Sequence, residues 1–436
     1  MKKILSILIV LTSAGWLNAQ DTLVISQPEF VEKVIQNNGS AKIADKQAAM
    51  AKADFQQSNA LYLPTVTASY TAMLTNNPLM AFGSKLNQEI LTQQDFNPDL
   101  LNDPDKVENY ATEIMVLQPL LNLDGVYERN AARIQHEAYQ LKAERTKEYL
   151  ELEATKLYMQ LQLAYEAVEV ITRAHETAGE AVKIVTDYYD QGMVQKADLL
   201  DARVRLNEVK SQLQYARSNV QNTSDQLLVL MGEVPGTYML SPQTEAPLNY
   251  DIATYAGTLP ESRKDLMAMS KAVSGYESML KSSKMKFIPR INAFGSFQVY
   301  DNEALQFGAS GYMIGAKASW DIFNGYSKIA KTRKAKLEAE KAKLEQEEYV
   351  SQQQAELIKA NRMLADAKNK VELYQLAFDQ ANESYKVRRD RFEQGLEKTV
   401  DLLMTESQMY HKELQLQQAI FEYNFTKVYL DFLTKE

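Results

Sequence analysis

The residues with most chemistry to offer are a repeated set of carboxylates. Asp198-Leu199-Leu200 and Asp401-Leu402-Leu403 each begin six residues past a glycine, Gly192 in one half of the chain and Gly395 in the other. Asp201 adds a second acid in the first copy, and Met404 takes that place in the second. A carboxylate just inside a helix start is stabilised by the helix dipole, which is the plainest use for these side chains. Carried by several copies of the chain around one narrow axis, Asp401 would instead form a ring that attracts cations, as acidic rings do in cation pores.

Other chemistry is poorly served. There are three histidines, no cysteine and no Gly-rich phosphate loop, so no metal cluster or activated nucleophile can be assembled from recognisable spacing. His175 lies on an apolar helical stripe and reads as a packed residue. The sequence therefore points to no enzyme activity and no cofactor. Its net charge of −9 argues against nucleic acid, which needs clustered Lys and Arg.

The elements that hold the carboxylates are long helices. No proline occurs between Pro119 and Pro235 or after Pro289, and both gaps are rich in strong helix formers. Val350, Leu357, Leu364, Val371, Phe378, Tyr385 and Phe392 recur every seven residues. In the first gap Leu150, Leu157, Ala164, Ile171, Ala178 and Val185 do the same, with a second stripe at Ala154, Leu161, Val168, His175, Val182 and Tyr189. Sustained heptads predict helices packed along their length. Each gap is broken once, at Gln191-Gly192-Met193 and at Gln394-Gly395-Leu396, where glycine suits a left-handed helix stop. Each half thus reads as a helix, a tight turn and a returning helix. A helix from Asp124 to Asp190 would span on the order of 100 Å.

Alternating runs precede each helical hairpin. Thr65, Thr67, Ser69 and Thr71 alternate with Val66, Ala68, Tyr70 and Ala72, and Arg290, Asn292, Ser296 and Gln298 alternate with Ile291, Ala293, Phe297 and Val299. Tyr110–Gln118 and Tyr312–Trp320 give two more. Such runs suit membrane strands with one lipid face, and Tyr62, Tyr110, Phe287, Tyr300 and Trp320 sit near their ends as interfacial aromatics would. The offset between halves is 225 at Pro64 and Pro289 but 202 at Leu120 and Ile322, which places a 23-residue surplus in Asn76–Asn109, expected to be a long external loop. Four strands cannot close a barrel, because an unpaired edge cannot face lipid. Three copies would give twelve, the smallest assembly with a lumen. At the N-terminus, Lys2-Lys3, the apolar run Ile4–Leu11 and the small residues up to Ala19 have the order of a signal peptide.

These features together resemble the TolC family of trimeric outer-membrane efflux and secretion channels. The resemblance rests on Asn37-Asn38, Leu63-Pro64, Ile288-Pro289, Gln118-Pro119-Leu120, Ile322-Phe323-Asn324-Gly325 and the two Gly-x5-Asp-x-Leu tips. It implies a mainly α protein with a membrane β-barrel part: duplicated long α-helical hairpins form a helical barrel in the periplasm, and four strands per chain form a 12-stranded barrel as a homotrimer in outer-membrane lipid. It further implies docking of the tip residues Gln191, Gly192, Met193, Gln394, Gly395 and Leu396 onto a periplasmic adaptor (membrane fusion) protein coupled to an inner-membrane RND or ABC pump, for efflux or type I secretion. Asp401 falls on the family's first constriction position, with Asp198 and Asp201 in the first repeat. Met404 and Glu397 depart from the family's gate pattern.

The expected organisation is a signal peptide (1–19), an N-terminal helix (20–60), a first transmembrane hairpin with its long loop (61–122) and a first helical hairpin (123–232). An equatorial linker (233–260), a helix (261–286), a second transmembrane hairpin (287–323) and a second helical hairpin with the C-terminal helix (324–436) follow. The rival reading is a soluble periplasmic coiled-coil scaffold or adaptor, which has no need of lipid-facing alternation.

Overall fold

The computed structural model describes residues 22–243 and 257–436. The expected signal peptide lies outside the described residues, as does the 244–256 part of the expected linker. The described elements run β1 (Thr22–Ile25), α1 (Gln27–Asn37), α2 (Gly39–Gln57), β2 (Thr65–Thr75), α3 (Pro78–Asn87), α4 (Pro98–Asn102), β3 (Val107–Leu121), α5 (Leu123–Asp190), α6 (Lys196–Leu230), β4 (Met239–Pro242), α7 (Lys264–Met285), β5 (Arg290–Asp301), β6 (Ala309–Ser319), α8 (Ser327–Glu393) and α9 (Thr399–Thr434). Contacts divide the chain into two units. One comprises residues up to Ile43, Glu144–Arg263 and Gln352–Glu436, and the other Ala44–Ala143 and Lys264–Ser351. Among the described residues no helix is long and apolar enough to cross a membrane.

In the first unit, the α8 heptad becomes core from Leu357 onward. Leu357 and Val371 are fully buried and Phe392 nearly so, with Leu364 and Phe378 half-buried between them. Leu357, Leu364, Val371 and Phe378 meet α9 through Leu416, Ala419, Ile420, Tyr423, Leu430 and Leu433. Each leucine or isoleucine so buried contributes about 1.5–3 kcal/mol by leaving water. Along α5 the second stripe changes side. Ala154 and Leu161 are buried against α1, α6 and the strands β1 and β4. Further on, Ala174 and Ala181 are buried while His175 and Val182 are half-buried and Tyr189 is exposed. The cause is a change of neighbours, since Val170–Val185 pack against α6, α8 and α9 together.

Two features of this unit have no local sequence signal. β1 and β4 form a parallel two-stranded sheet, with Leu23 opposite Leu240 and Ile25 opposite Pro242. The Tyr158 hydroxyl fastens it by donating to the Ile25 carbonyl at 2.9 Å. Arg263 is fully buried. Its guanidinium donates to the Leu433 carbonyl at 3.2 Å and to Gln353 Oε1 at 2.7 Å, tying α8 to the end of α9.

In the second unit the strands form one antiparallel sheet in the order β2-β3-β5-β6. The register aligns Val66, Val116, Gly295 and Ile314 in one row, and Ala68, Ile114, Phe297 and Tyr312 in the next. This apolar face is exposed at Val66, Tyr70, Leu74, Ile114, Phe297, Tyr312 and Ile314. The opposite face carries Thr65, Thr67, Ser69, Thr71, Glu113, Ser296, Gln298 and Lys317. Tyr300, expected among interfacial aromatics, lies on this polar face, where its hydroxyl donates to Gln298 Oε1 at 2.5 Å. A bulge falls between Pro119 and Leu121, as the missing proline N–H requires.

The segment expected as an external loop is more ordered than its prolines suggest. Pro78 and Pro98 stand in the first turns of α3 and α4, where the missing N–H costs nothing. The Gln88 amide, just past α3, donates to the Glu108 and Asp301 carbonyls at 2.9 and 3.0 Å and pins this helical cap onto the strand ends.

Candidate functional site

The two helical turns have the same backbone. Gly192 and Gly395 take φ of +72° and +73°, a region that costs a residue with a Cβ. Met193 N–H donates to the Tyr188 carbonyl at 2.8 Å and Gly192 N–H to that of Tyr189 at 2.9 Å. In the second turn Leu396 donates to Arg391 at 2.8 Å and Gly395 to Phe392 at 2.9 Å. Both are Schellman stops, which satisfy carbonyls left over by the preceding helix. Gln191 and Gln394 are exposed, and Met193 and Leu396 are 60% and 63% exposed although apolar.

The three candidate carboxylates sit in unlike settings. Asp198 accepts a 2.9 Å bond from the Gln195 backbone N–H and so closes the start of α6. Asp401 occupies the equivalent first turn of α9, yet its carboxylate makes no hydrogen bond or ion pair among the described residues. Asp201 is exposed. The triplets are brought together by their leucines, since Leu199, Leu402 and Leu403 share one apolar cluster. The Tyr188 hydroxyl also donates to the Glu393 carbonyl at 3.0 Å, linking the end of α5 to that of α8.

The departure at Glu397 has a local explanation. Its carboxylate binds Arg388 and Arg391, each at 3.1 Å, and so staples the second turn within its own hairpin. A second ionic group was overlooked in the sequence. Glu406 is 2% exposed and meets Arg205 of α6 at 3.4 Å, while its Oε1 atom has no partner. One heptad on, Glu413 pairs with Arg173 of α5, and Tyr410 shares a 2.8 Å hydroxyl contact with Thr177. The sequence signal for this group is the seven-residue spacing of Glu406 and Glu413, which places them on one side of α9, the first buried and the second half-buried. Burial pushes both carboxyls above their ordinary range, and the arginines only partly offset it.

A carboxyl raised on folding contributes stability that is present at low pH and lost as pH rises through its folded value. Glu406→Gln, which mimics the protonated form, is therefore expected to raise the melting temperature at neutral pH and flatten its fall between the ordinary carboxylate range and neutrality. Thermal unfolding across that interval checks this, and an unchanged slope would refute it.

Residues 30–233 and 257–427 match the model of the outer membrane efflux protein family. The chain belongs to the outer membrane efflux protein family. Among solved structures this efflux protein is similar to the CmeC outer membrane channel of Campylobacter jejuni, with a TM-score of 0.80, 15% identity and coverage of 94% of this chain and 85% of that one. It is also similar to VceC of Vibrio cholerae (TM-score 0.78, 14% identity, 93% and 95% coverage) and to the open state of MtrE of Neisseria gonorrhoeae (0.75, 15%, 93% and 88%). No curated protein sequence matches it. The efflux protein is thus an efflux channel subunit of the outer membrane, and its fold of long helical hairpins with a β-barrel part is the one these channels share. Its family consists of trimeric channels that work with adaptors and pumps.

A β-barrel of the outer membrane has an apolar face toward lipid and a polar face toward its lumen, and this sheet offers one of each. On the polar face the Phe294 ring reaches Gly315, where an added Cβ would come within 2.6 Å of its tip. Gly315→Val is expected to turn that ring into the lumen, lowering unitary conductance at a stability cost of about 1–3 kcal/mol. Planar-bilayer recording and melting of the same sample measure both effects.

Proposed function

We propose that three copies assemble into a closed duct, β6 of one copy pairing with β2 of the next. The observation that supports this is the sheet itself: its apolar face is exposed, and β2 and β6 have no outer neighbour among the described residues. Such edges must be paired in lipid. In this reading 61–122 and 287–323 are the membrane hairpins, 20–60, 123–232, 261–286 and 324–436 build the helical tunnel, 233–260 is the equatorial linker, and 1–19 is the export signal.

The turns Gln191-Gly192-Met193 and Gln394-Gly395-Leu396 are the docking surface for a periplasmic adaptor joined to an inner-membrane RND or ABC pump, the latter serving type I secretion. The exposed apolar Met193 and Leu396 support that role. Asp401, aided by Asp198 and Asp201, is the periplasmic gate. Met193→Glu with Leu396→Glu should abolish adaptor capture and cellular export while leaving a detergent-stable trimer that conducts in bilayers. Recovery of the parent protein as a soluble periplasmic monomer would overturn the reading.

A further inference from the structure

At the foot of the sheet the lining of a cavity of about 270 Å³ includes Lys286, Arg290, Ser319, Asp321, Lys328 and Lys331. Arg290 and Ser319 face each other across β5 and β6. Both share the face of Asn292, Ser296 and Lys317, which is the lumenal one. The strand residues that line the cavity therefore lie on the polar side of the sheet.

Its charges are unequally compensated. Arg290 is paired with Asp124, which is 2% exposed, and Lys286 meets Glu128 at 2.9 Å. Lys328 donates to the Asp321 carbonyl at 2.9 Å and stands 3.6 Å from its carboxylate, which is itself 76% exposed. Lys331 is exposed and makes no hydrogen bond or ion pair among the described residues. Four cations against three carboxylates leave one positive charge, carried by Lys331. Nearby Ser319 and Asn324 supply neutral polar groups. A concave polar wall with one uncompensated ammonium is a receptor for a single oxyanion, because charge-assisted hydrogen bonds to such a group are about twice as strong as neutral ones.

We propose that this cavity binds the phosphate or similar monoanionic oxyanion of a small solute passing through the lumen. The proposal rests on the assignment of the polar face to the lumen. It gives the duct, otherwise characterised by carboxylates at its tips, a way station of opposite sign at the base of the barrel, and it predicts that anionic solutes are retarded there.

The test uses the full-length trimer in planar bilayers, with inorganic phosphate as the probe. Phosphate is expected to reduce single-channel current saturably, and Lys331→Glu to weaken that block roughly tenfold, the worth of one charge-assisted contact. Lys331→Arg should retain it. Two lipid compositions separate the sources of the anion. Block that is the same in purely zwitterionic bilayers and in bilayers with phosphatidylglycerol supports a lumenal solute site, whereas block seen only when phosphatidylglycerol is absent would mean that a lipid headgroup owns the cavity and would overturn the proposal. Equal block in parent and Lys331→Glu, or none in the parent, also overturns it. Failure to form channels at all would instead sink the duct reading.

Discussion

Asp401→Ala is expected to weaken block of the channel by a trivalent cation roughly tenfold or more and to raise its unitary conductance. Two unit charges 4 Å apart attract by about 4 kcal/mol at the effective dielectric of a protein surface, so three carboxylates around one narrow axis dominate a multivalent ion's residence there. The geometry isolates the effect. The Asp401 carboxylate makes no hydrogen bond or ion pair among the described residues, whereas that of Asp198, at the same place in the first repeat, closes the start of α6. Asp198→Ala should therefore cost about 0.5–1.5 kcal/mol of stability through the lost hydrogen bond from the Gln195 N–H, and Asp401→Ala little. Bilayer recordings with a trivalent blocker, paired with melting curves of both variants, test the division. Unchanged block in Asp401→Ala would remove Asp401 from the gate.

Arg263→Ala should be among the most damaging single changes, costing about 3 kcal/mol or more. The side chain is fully buried, so truncation leaves a cavity and strips the Leu433 carbonyl and Gln353 of a donor at once. Thermal or denaturant unfolding measures the loss. A cost below about 1 kcal/mol would mean that water replaces the guanidinium without penalty.

What could be read in advance depended on whether the signal was local. The heptad through Leu357, Val371 and Phe392 marks a buried face because helical periodicity and packing obey the same geometry. Gly192 and Gly395 announce their turns because only glycine takes that backbone conformation cheaply. The alternation from Thr65 to Ala72 shows the two faces of β2 for a similar reason. The switch from His175 to Ala174 on α5 was invisible, because it depends on which neighbours surround the helix. Pro78 and Pro98 fall in the segment expected as a loop because a proline in a first turn looks the same in sequence as one in a loop. Asp198 and Asp401 stand in matching triplets, and only the structure distinguishes the capping acid from the uncommitted one. Glu406 and Glu413 stand seven residues apart, but a charge at that spacing does not by itself mark a buried pair.

The pairing of β1 with β4 has a consequence for biogenesis. Thr22–Ile25 are the first described residues, and their partners Met239–Pro242 come more than two hundred residues later. A chain threaded into the periplasm from its N-terminus delivers β1 long before β4 exists, so this clasp cannot close until about half the polypeptide has crossed. During that interval Ile25, fully buried in the finished protein, is exposed beside an unpaired strand edge, the kind of segment that aggregates. If export runs from the N-terminus, that exposed interval ends only when β4 arrives.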